Sequence, residues 1–141
     1  MNESKFTSNS AQETIKYGQQ LGHQLTSGDV VALHGDLGSG KTHLVKGIAA
    51  ELGIRKETVH SPTYSLIHEY KGKLPLYHFD CYRMQSVEEA LEIGAEDYFY
   101  RQGICVIEWP EIIKSILPEH TIWVDLKSAG KTKRIIEVSE S

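Results

Sequence analysis

Residues 30–52 hold the segment that most narrows what this chain can fold into. Val30, Val31, Ala32 and Leu33 form a short continuous apolar run, the pattern of a strand covered on both faces. Gly35-Asp36-Leu37-Gly38-Ser39-Gly40-Lys41-Thr42-His43 follows at once, with Gly47 just beyond. Leu44, Val45, Ile48, Ala49 and Leu52 then make a helical stripe closed by Gly53. Glycine weakens any regular element it occupies, so the cluster needs a reason. The order strand, glycine loop, helix with Gly-x-x-x-x-Gly-Lys-Thr spacing supplies one: a loop that wraps phosphates. Its four fixed positions would match by chance about once in 30,000 windows, so accident in a chain this short is a poor explanation. A glycine-rich surface turn before a helix is the bland alternative.

A triphosphate packs several negative charges into a few ångströms, and binding it takes many donors converging on a small volume. Backbone N–H groups can converge only where no side chain blocks them, which accounts for Gly35, Gly38 and Gly40. The following helix points its positive end at the same place. Lys41 adds a mobile point charge for the β- and γ-phosphates, and Thr42 a hydroxyl for Mg²⁺.

The rest of the chain predicts α/β architecture. Ser10 and Glu13 have capping-box spacing, and Thr14, Tyr17, Leu21 and Leu25 continue a helix that Ser27-Gly28 stops. Residues 64–70 and 74–79 read as strands around the turn Lys71-Gly72-Lys73, the second ending at Asp80. Ser86 and Glu89 form a second capping box, for a helix that stops near Gly94. Residues 104–107 are a second fully apolar strand and end in Glu108. Ile112, Ile113, Ile116 and Leu117 suggest a short helix broken by Pro118. Residues 121–126 and 134–138 close the chain as a hairpin around Ser128-Ala129-Gly130.

Nucleotide chemistry beyond binding needs a carboxylate on a neighbouring strand, to hold the water shell of a metal or to orient an attacking water. Glu108 and Asp80 are the candidates, since ligands of open α/β sheets bind at the carboxyl ends of strands. Either could instead be a solvated residue at a strand end. His60, His68 and His78 lack the spacing of a compact zinc site. His43 sits just after the motif and is read as facing the sheet. Trp109-Pro110 reads as packing or as a nucleotide-sensing contact, with packing favoured, and Arg83 as a phosphate or partner contact or a plain surface charge.

With 141 residues, the chain is expected to be a single domain, 1–141. The formal charge of -4 argues against a surface dedicated to coating nucleic acid. Cys81 and Cys105 lack short metal spacing and lie beside apolar runs, so free core thiols in a reducing compartment are expected. No stretch approaches the ~20 apolar residues of a membrane span, so a cytoplasmic protein with no membrane partner is expected. A guanine-selecting Asn-Lys-x-Asp string and a Leu-Ser-Gly-Gly-Gln string are absent from the sequence, which weakens GTPase and transport-ATPase readings. Arginines are few and no insertion offers a lid, so a small-molecule kinase is a weaker reading than an ATP switch or slow ATPase acting on a partner. A nucleotide-dependent binding module without meaningful catalysis is a third possibility.

Beside the phosphate loop, the chain carries Ser61-Pro62-Thr63-Tyr64, His78-Phe79-Asp80-Cys81-Tyr82-Arg83 and Glu108-Trp109. In this order and separation, across residues 30–110, these strings resemble the TsaE (YjeE) family of P-loop ATPases in bacterial tRNA threonylcarbamoyladenosine formation. The loop string is shared by many nucleotidases, whereas the other three together are far more specific. Cys81 and His43 stand where Leu and Thr are more usual. The resemblance implies a P-loop fold with a mostly parallel central sheet, antiparallel hairpin additions and helices on both faces, binding ATP and Mg²⁺. It implies that Asp36, Leu37, Gly38, Ser39, Gly40, Lys41, Thr42 and His43 line the phosphates and that Thr42 and Glu108 hold the metal. Asp80 would lie by the γ-phosphate, with Lys41, Asp80 and Glu108 as the catalytic set. Ser61, Pro62, Thr63 and Tyr64 would form a switch loop sensing nucleotide state. The N-terminal segment Thr7 to Ala11 and the hairpin segment Lys131 to Arg134, with Ala11, Lys131 and Thr132 as the named contacts, would contribute to the adenine site. The implied partner is the TsaB–TsaD heterodimer, with tRNA reached only through it, and Arg83 and Trp109 are the expected partner contacts.

Overall fold

A computed structural model describes residues 4–36, 38–59 and 66–140. The strands are β1 (Ser4–Ser8), β2 (Val30–Gly35), β3 (Ile67–Tyr70), β4 (Leu76–Asp80), β5 (Ile104–Glu108), β6 (Ile122–Ser128) and β7 (Arg134–Glu140). The helices are α1 (Ala11–Gln24), α2 (Lys41–Glu51), α3 (Val87–Glu92) and α4 (Ala95–Phe99), with 3₁₀ turns at Lys56–Thr58 and Pro110–Ile116. The strands make one seven-stranded sheet in the order β1-β7-β6-β2-β5-β4-β3. Strands β6, β2, β5 and β4 run parallel, while β7 and β1 at one side and β3 at the other are antiparallel to their neighbours.

Two cores follow from the alternation of side chains along the strands. On one face Val31, Leu33, Leu76, Ile104, Val106, Ile122, Val124, Leu126, Ile136 and Val138 pack against Leu21 of α1 and Leu44, Val45, Ile48 and Ala49 of α2. On the other, Val30, Tyr77, Phe79, Cys105 and Ile107 meet Ala90 of α3, Ala95 and Phe99 of α4, and Ile113 of the second 3₁₀ turn. Covered on both sides, β5 is buried at every position, which is why its sequence is a continuous apolar run. β6 alternates instead: Ile122, Val124 and Leu126 point inward, while Trp123, Asp125 and Lys127 are partly or fully exposed. Burial of each large apolar side chain in these layers contributes about 1.5–3 kcal/mol.

Local chemistry sets the element ends. Ser10 Oγ accepts the Glu13 N–H at 3.0 Å, which is one half of the first capping box, while Glu13 Oε1 reaches past the cap to the Asn9 N–H at 2.9 Å. The second box does not form. Ser86 makes no side-chain cap bond, and Glu89 reaches past it to the Gln85 N–H at 3.4 Å. Gly94, in the left-handed region, then starts α4, an element the sequence pattern does not signal. β1 is likewise unsignalled, because it is a mostly exposed, polar edge strand held by pairing to β7 and by the Phe6–Tyr17 stack at 4.5 Å. The expected helix around residues 112–117 is a 3₁₀ turn ending where Leu117 goes extended before Pro118. The strand expected at 64–70 is seen over Ile67–Tyr70, positions 64 and 65 being outside the described residues, and the one expected at 74–79 runs Leu76–Asp80.

Candidate functional site

Parallel strands end at the same edge of a sheet, and this arithmetic assembles the site. β2 delivers the glycine loop there, β5 delivers Glu108, and β4 delivers Asp80. Glu108 stands opposite Leu33 on one side and Asp80 on the other. The loop turns into α2 through Gly40, whose φ of 100° is a left-handed conformation that residues with a Cβ adopt at a cost. Its carbonyl accepts the Leu44 N–H at 3.1 Å, so the first turn of α2 forms directly behind the loop.

Lys41, the first residue of that turn, is buried. Its ammonium donates to the carbonyl oxygen of Gly35 and, at 3.2 Å, to that of Asp36. It also lies 3.9 Å from the centroid of the Trp109 ring. Burial pushes the Lys41 ammonium below its ordinary pKa, against the opposing fields of Glu108, Glu111, Asp80 and Asp36. The two catalytic-carboxylate candidates are therefore within electrostatic reach of the loop lysine. Thr42 is half-buried in the same turn, and the Ser39 hydroxyl is buried with no hydrogen-bond partner among the described residues.

Glu108 is 4% exposed, and its Oε2 lies 2.5 Å from Nε2 of the fully buried His78. Its other oxygen has no hydrogen-bond partner among the described residues. Asp80 Oδ1 accepts the Tyr82 N–H at 2.9 Å. Burial raises the Asp80 carboxyl above the ordinary carboxylate pKa; the Tyr82 N–H opposes this and the charge of Glu108 adds to it. Beyond Glu108 the chain takes an unusual path: Trp109 has φ 57° and ψ 58°. Left-handed backbone at a residue with a side chain costs about 1–3 kcal/mol. The stack of its ring on Tyr82, at 4.8 Å and 25°, and the Lys41 ammonium help to hold it. Tyr82 itself is half exposed.

The structure thus brings Lys41, Asp80, Glu108 and Trp109 to one sheet edge, with Thr42 one residue along from Lys41. Arg83 is exposed and makes no ion pair among the described residues. His43 is half-buried rather than part of the sheet core; burial lowers its pKa, and Lys46 and Arg134 add to this. Leu37 and the expected switch loop, Ser61, Pro62, Thr63 and Tyr64, lie outside the described residues. Ala11, Lys131 and Thr132 are exposed, and no hydrogen bond among the described residues links their side chains to the loop. Their neighbour Arg134 is linked to it: Nη2 donates to the Gly38 carbonyl at 3.0 Å, while Nη1 binds Gly130 and Lys133 carbonyls at 3.1 and 2.9 Å. Arg134 ends the hairpin segment expected at the adenine site, whereas His78 is the residue that sequence reasoning underweights. His78 shares its strand face with Asp80, two residues on, and that period is the available signal. Gly47, counted with the loop glycines in the sequence, serves another purpose: a Cβ there would lie 2.0 Å from the Ile15 carbonyl of α1.

Of the three histidines weighed as a metal set, His60 lies outside the described residues; among the described residues there is no group of three or more His, Cys, Asp or Glu that could hold a metal ion. The donors at the loop are oxygens: a hydroxyl on Thr42 and carboxylates on Glu108 and Asp80. That set suits Mg²⁺, which takes one or two protein groups and draws the rest of its shell from water and phosphate. The spare oxygen of Glu108 fits this role.

The family profile described as "Threonylcarbamoyl adenosine biosynthesis protein TsaE" matches residues 8–136. This chain belongs to the TsaE family. It is 46% identical over 135 residues to the tRNA threonylcarbamoyladenosine biosynthesis protein TsaE of Treponema pallidum, covering 96% of this chain and 99% of that one. The TsaE protein of Bacillus subtilis is 46% identical over 110 residues, 77% of this chain and 68% of its own length. A crystal structure of YdiB from Bacillus subtilis superposes with a TM-score of 0.82 at 35% identity, covering 99% of this chain and 86% of YdiB. Membership places the chain in tRNA threonylcarbamoyladenosine biosynthesis. No helix among the described residues is long and apolar enough to cross a membrane.

Proposed function

We propose that this TsaE family member binds ATP with Mg²⁺ and hydrolyses it, slowly alone and faster on the TsaB–TsaD heterodimer. In this reading hydrolysis resets that complex between rounds of threonylcarbamoyl transfer to the adenosine beside the anticodon, and the transfer itself happens elsewhere. The reading rests on one observation: Lys41, Asp80 and Glu108 converge at the carboxyl edge of the sheet, beside a glycine loop that opens a helix.

The residues divide the work. Loop amides and the α2 N-terminus take the phosphate oxygens. Lys41 exchanges the carbonyls of Gly35 and Asp36 for phosphate, and Trp109 keeps its ammonium at the site in the meantime. Thr42 and Glu108 hold Mg²⁺, which when bound neutralises charge on the phosphoryl group. Asp80, whose burial makes it a better proton acceptor than an exposed carboxylate, orients the attacking water. The protein would work in the cytoplasm, reaching tRNA only through its partner.

Turnover of ATP is to be measured with and without TsaB–TsaD, in the presence of unmodified tRNA. Stimulation by the heterodimer is the expected result, with binding lost in Lys41→Ala and metal-dependent turnover lost in Glu108→Ala. Transfer of labelled phosphate to a small acceptor without any protein partner would replace this reading with a kinase. ATP-dependent complex formation that is indifferent to blocked hydrolysis would replace it with a binding module.

A further inference from the structure

His78 is fully buried on the face of β4 that otherwise contributes Leu76 to the core. An aliphatic side chain would fill that position without bringing polar atoms into it. The imidazole brings two. Nε2 lies 2.5 Å from Glu108 Oε2, and Nδ1 is buried with no partner among the described residues. A histidine kept inside with one nitrogen unsatisfied is explained by what the other nitrogen does. A carboxylate oxygen accepts, so the contact requires a proton on Nε2. The pairing is possible because β4 and β5 run parallel and adjacent, with His78 opposite Val106 and Asp80 opposite Glu108.

We propose that His78 is the positioning residue for Glu108, donating from Nε2 to one carboxylate oxygen so that the other is held toward the magnesium of the bound nucleotide. This rests on the reading of Glu108 as a metal-holding group. A glutamate has three side-chain torsions, and an otherwise unanchored one at a strand end would sample several rotamers. The imidazole removes that freedom. Its ring is set by the core around it, and Tyr70 of β3 lies across from it at 6.4 Å between centroids. Hydrogen bonds of this second layer are what aim metal-binding carboxylates.

The test uses the full-length protein, with ATP and magnesium as probes. Glutamine places an amide N–H near the position of Nε2, whereas asparagine and leucine do not. His78→Asn and His78→Leu should keep magnesium-free ATP affinity close to the parent's while raising the magnesium concentration needed to tighten ATP binding by about 10- to 100-fold. His78→Gln should recover most of that loss. Unchanged magnesium dependence in folded His78→Asn and His78→Leu would overturn the proposal. Should those variants fail to fold, ¹⁵N spectra of the parent decide: a proton on Nε2 supports the pairing, and a ring protonated on Nδ1 alone overturns it. If magnesium does not tighten ATP binding even in the parent, it is the reading of Glu108 that fails, and the spectra still report on the pair.

Discussion

Lys41 and Asp80 show how the candidate site departs from the usual economy of a fold. Both place an ionisable group where water is scarce, and in both burial favours the neutral form. For Asp80 the consequence for stability has a definite sign. Its pKa is raised on folding, so between the ordinary and the raised value the folded state holds more protons than the unfolded one. Stability therefore falls as pH rises through that window. Asp80→Asn removes the charge but keeps an oxygen for the Tyr82 N–H. It should melt higher than the parent at pH 7 and lose the decline in stability above the ordinary carboxylate pKa, measured by thermal melts across pH 3.5–7 (about the range in which carboxylates titrate). The two thiols make a plainer case. Burial pushes Cys81 and Cys105 up to about 12, so in the folded protein neither should react with a chromogenic disulfide reagent at pH 8, and both should react once denaturant is added.

Elements are joined by close approach as much as by apolar area. Helices α1 and α2 cross where Gly18 and Gly47 let the backbones meet: a Cβ on Gly47 would lie 2.0 Å from the Ile15 carbonyl, and one on Gly18 would lie 2.4 Å from that of Leu44. Alanine is the better helix former by about 1 kcal/mol, yet the clash is with backbone and cannot be relieved by a rotamer change. Gly47→Ala should therefore destabilise the protein by about 1–3 kcal/mol despite its propensity, in chemical denaturation. Because α2 begins at the glycine loop, the same variant should, on the proposed function, also weaken nucleotide binding. Arg134 also ties β7 to the loop, through its hydrogen bond to the Gly38 carbonyl.

For the whole molecule, a ligand that binds only the folded state raises its stability by mass action. A nucleotide at one hundred times its dissociation constant adds about 2.7 kcal/mol, which for a domain of this size is a melting shift of roughly 9 °C. Magnesium and ATP should produce a shift of that order in the parent and none in Lys41→Ala, by differential scanning fluorimetry. A parent insensitive to ATP would contradict the phosphate-loop reading at its root.

Much of this was legible before any coordinates. The glycine loop is a local device, its glycines lying within eight consecutive residues, so spacing alone announces it. The doubly covered strands β2 and β5 announce themselves through unbroken apolar runs, and the acids that end β4 and β5 through their positions after them. β1 and α4 were not legible, since a short exposed edge strand and a single turn behind Gly94 owe their form to tertiary contacts rather than to a pattern of their own. The same holds inside the site. His78 and Glu108 are separated by 30 positions, Arg134 and Gly38 by 96, and Lys41 and Trp109 meet across the carboxyl edge of the sheet. By itself, then, the sequence determined that a glycine loop would open a helix behind a buried strand, because local backbone preference and periodicity suffice for that. Which buried base would aim which acid, and which ring would lie against the lysine, was decided only by the parallel register of β4, β5 and β2, because register depends on the packing of whole layers and no short stretch of chain encodes it.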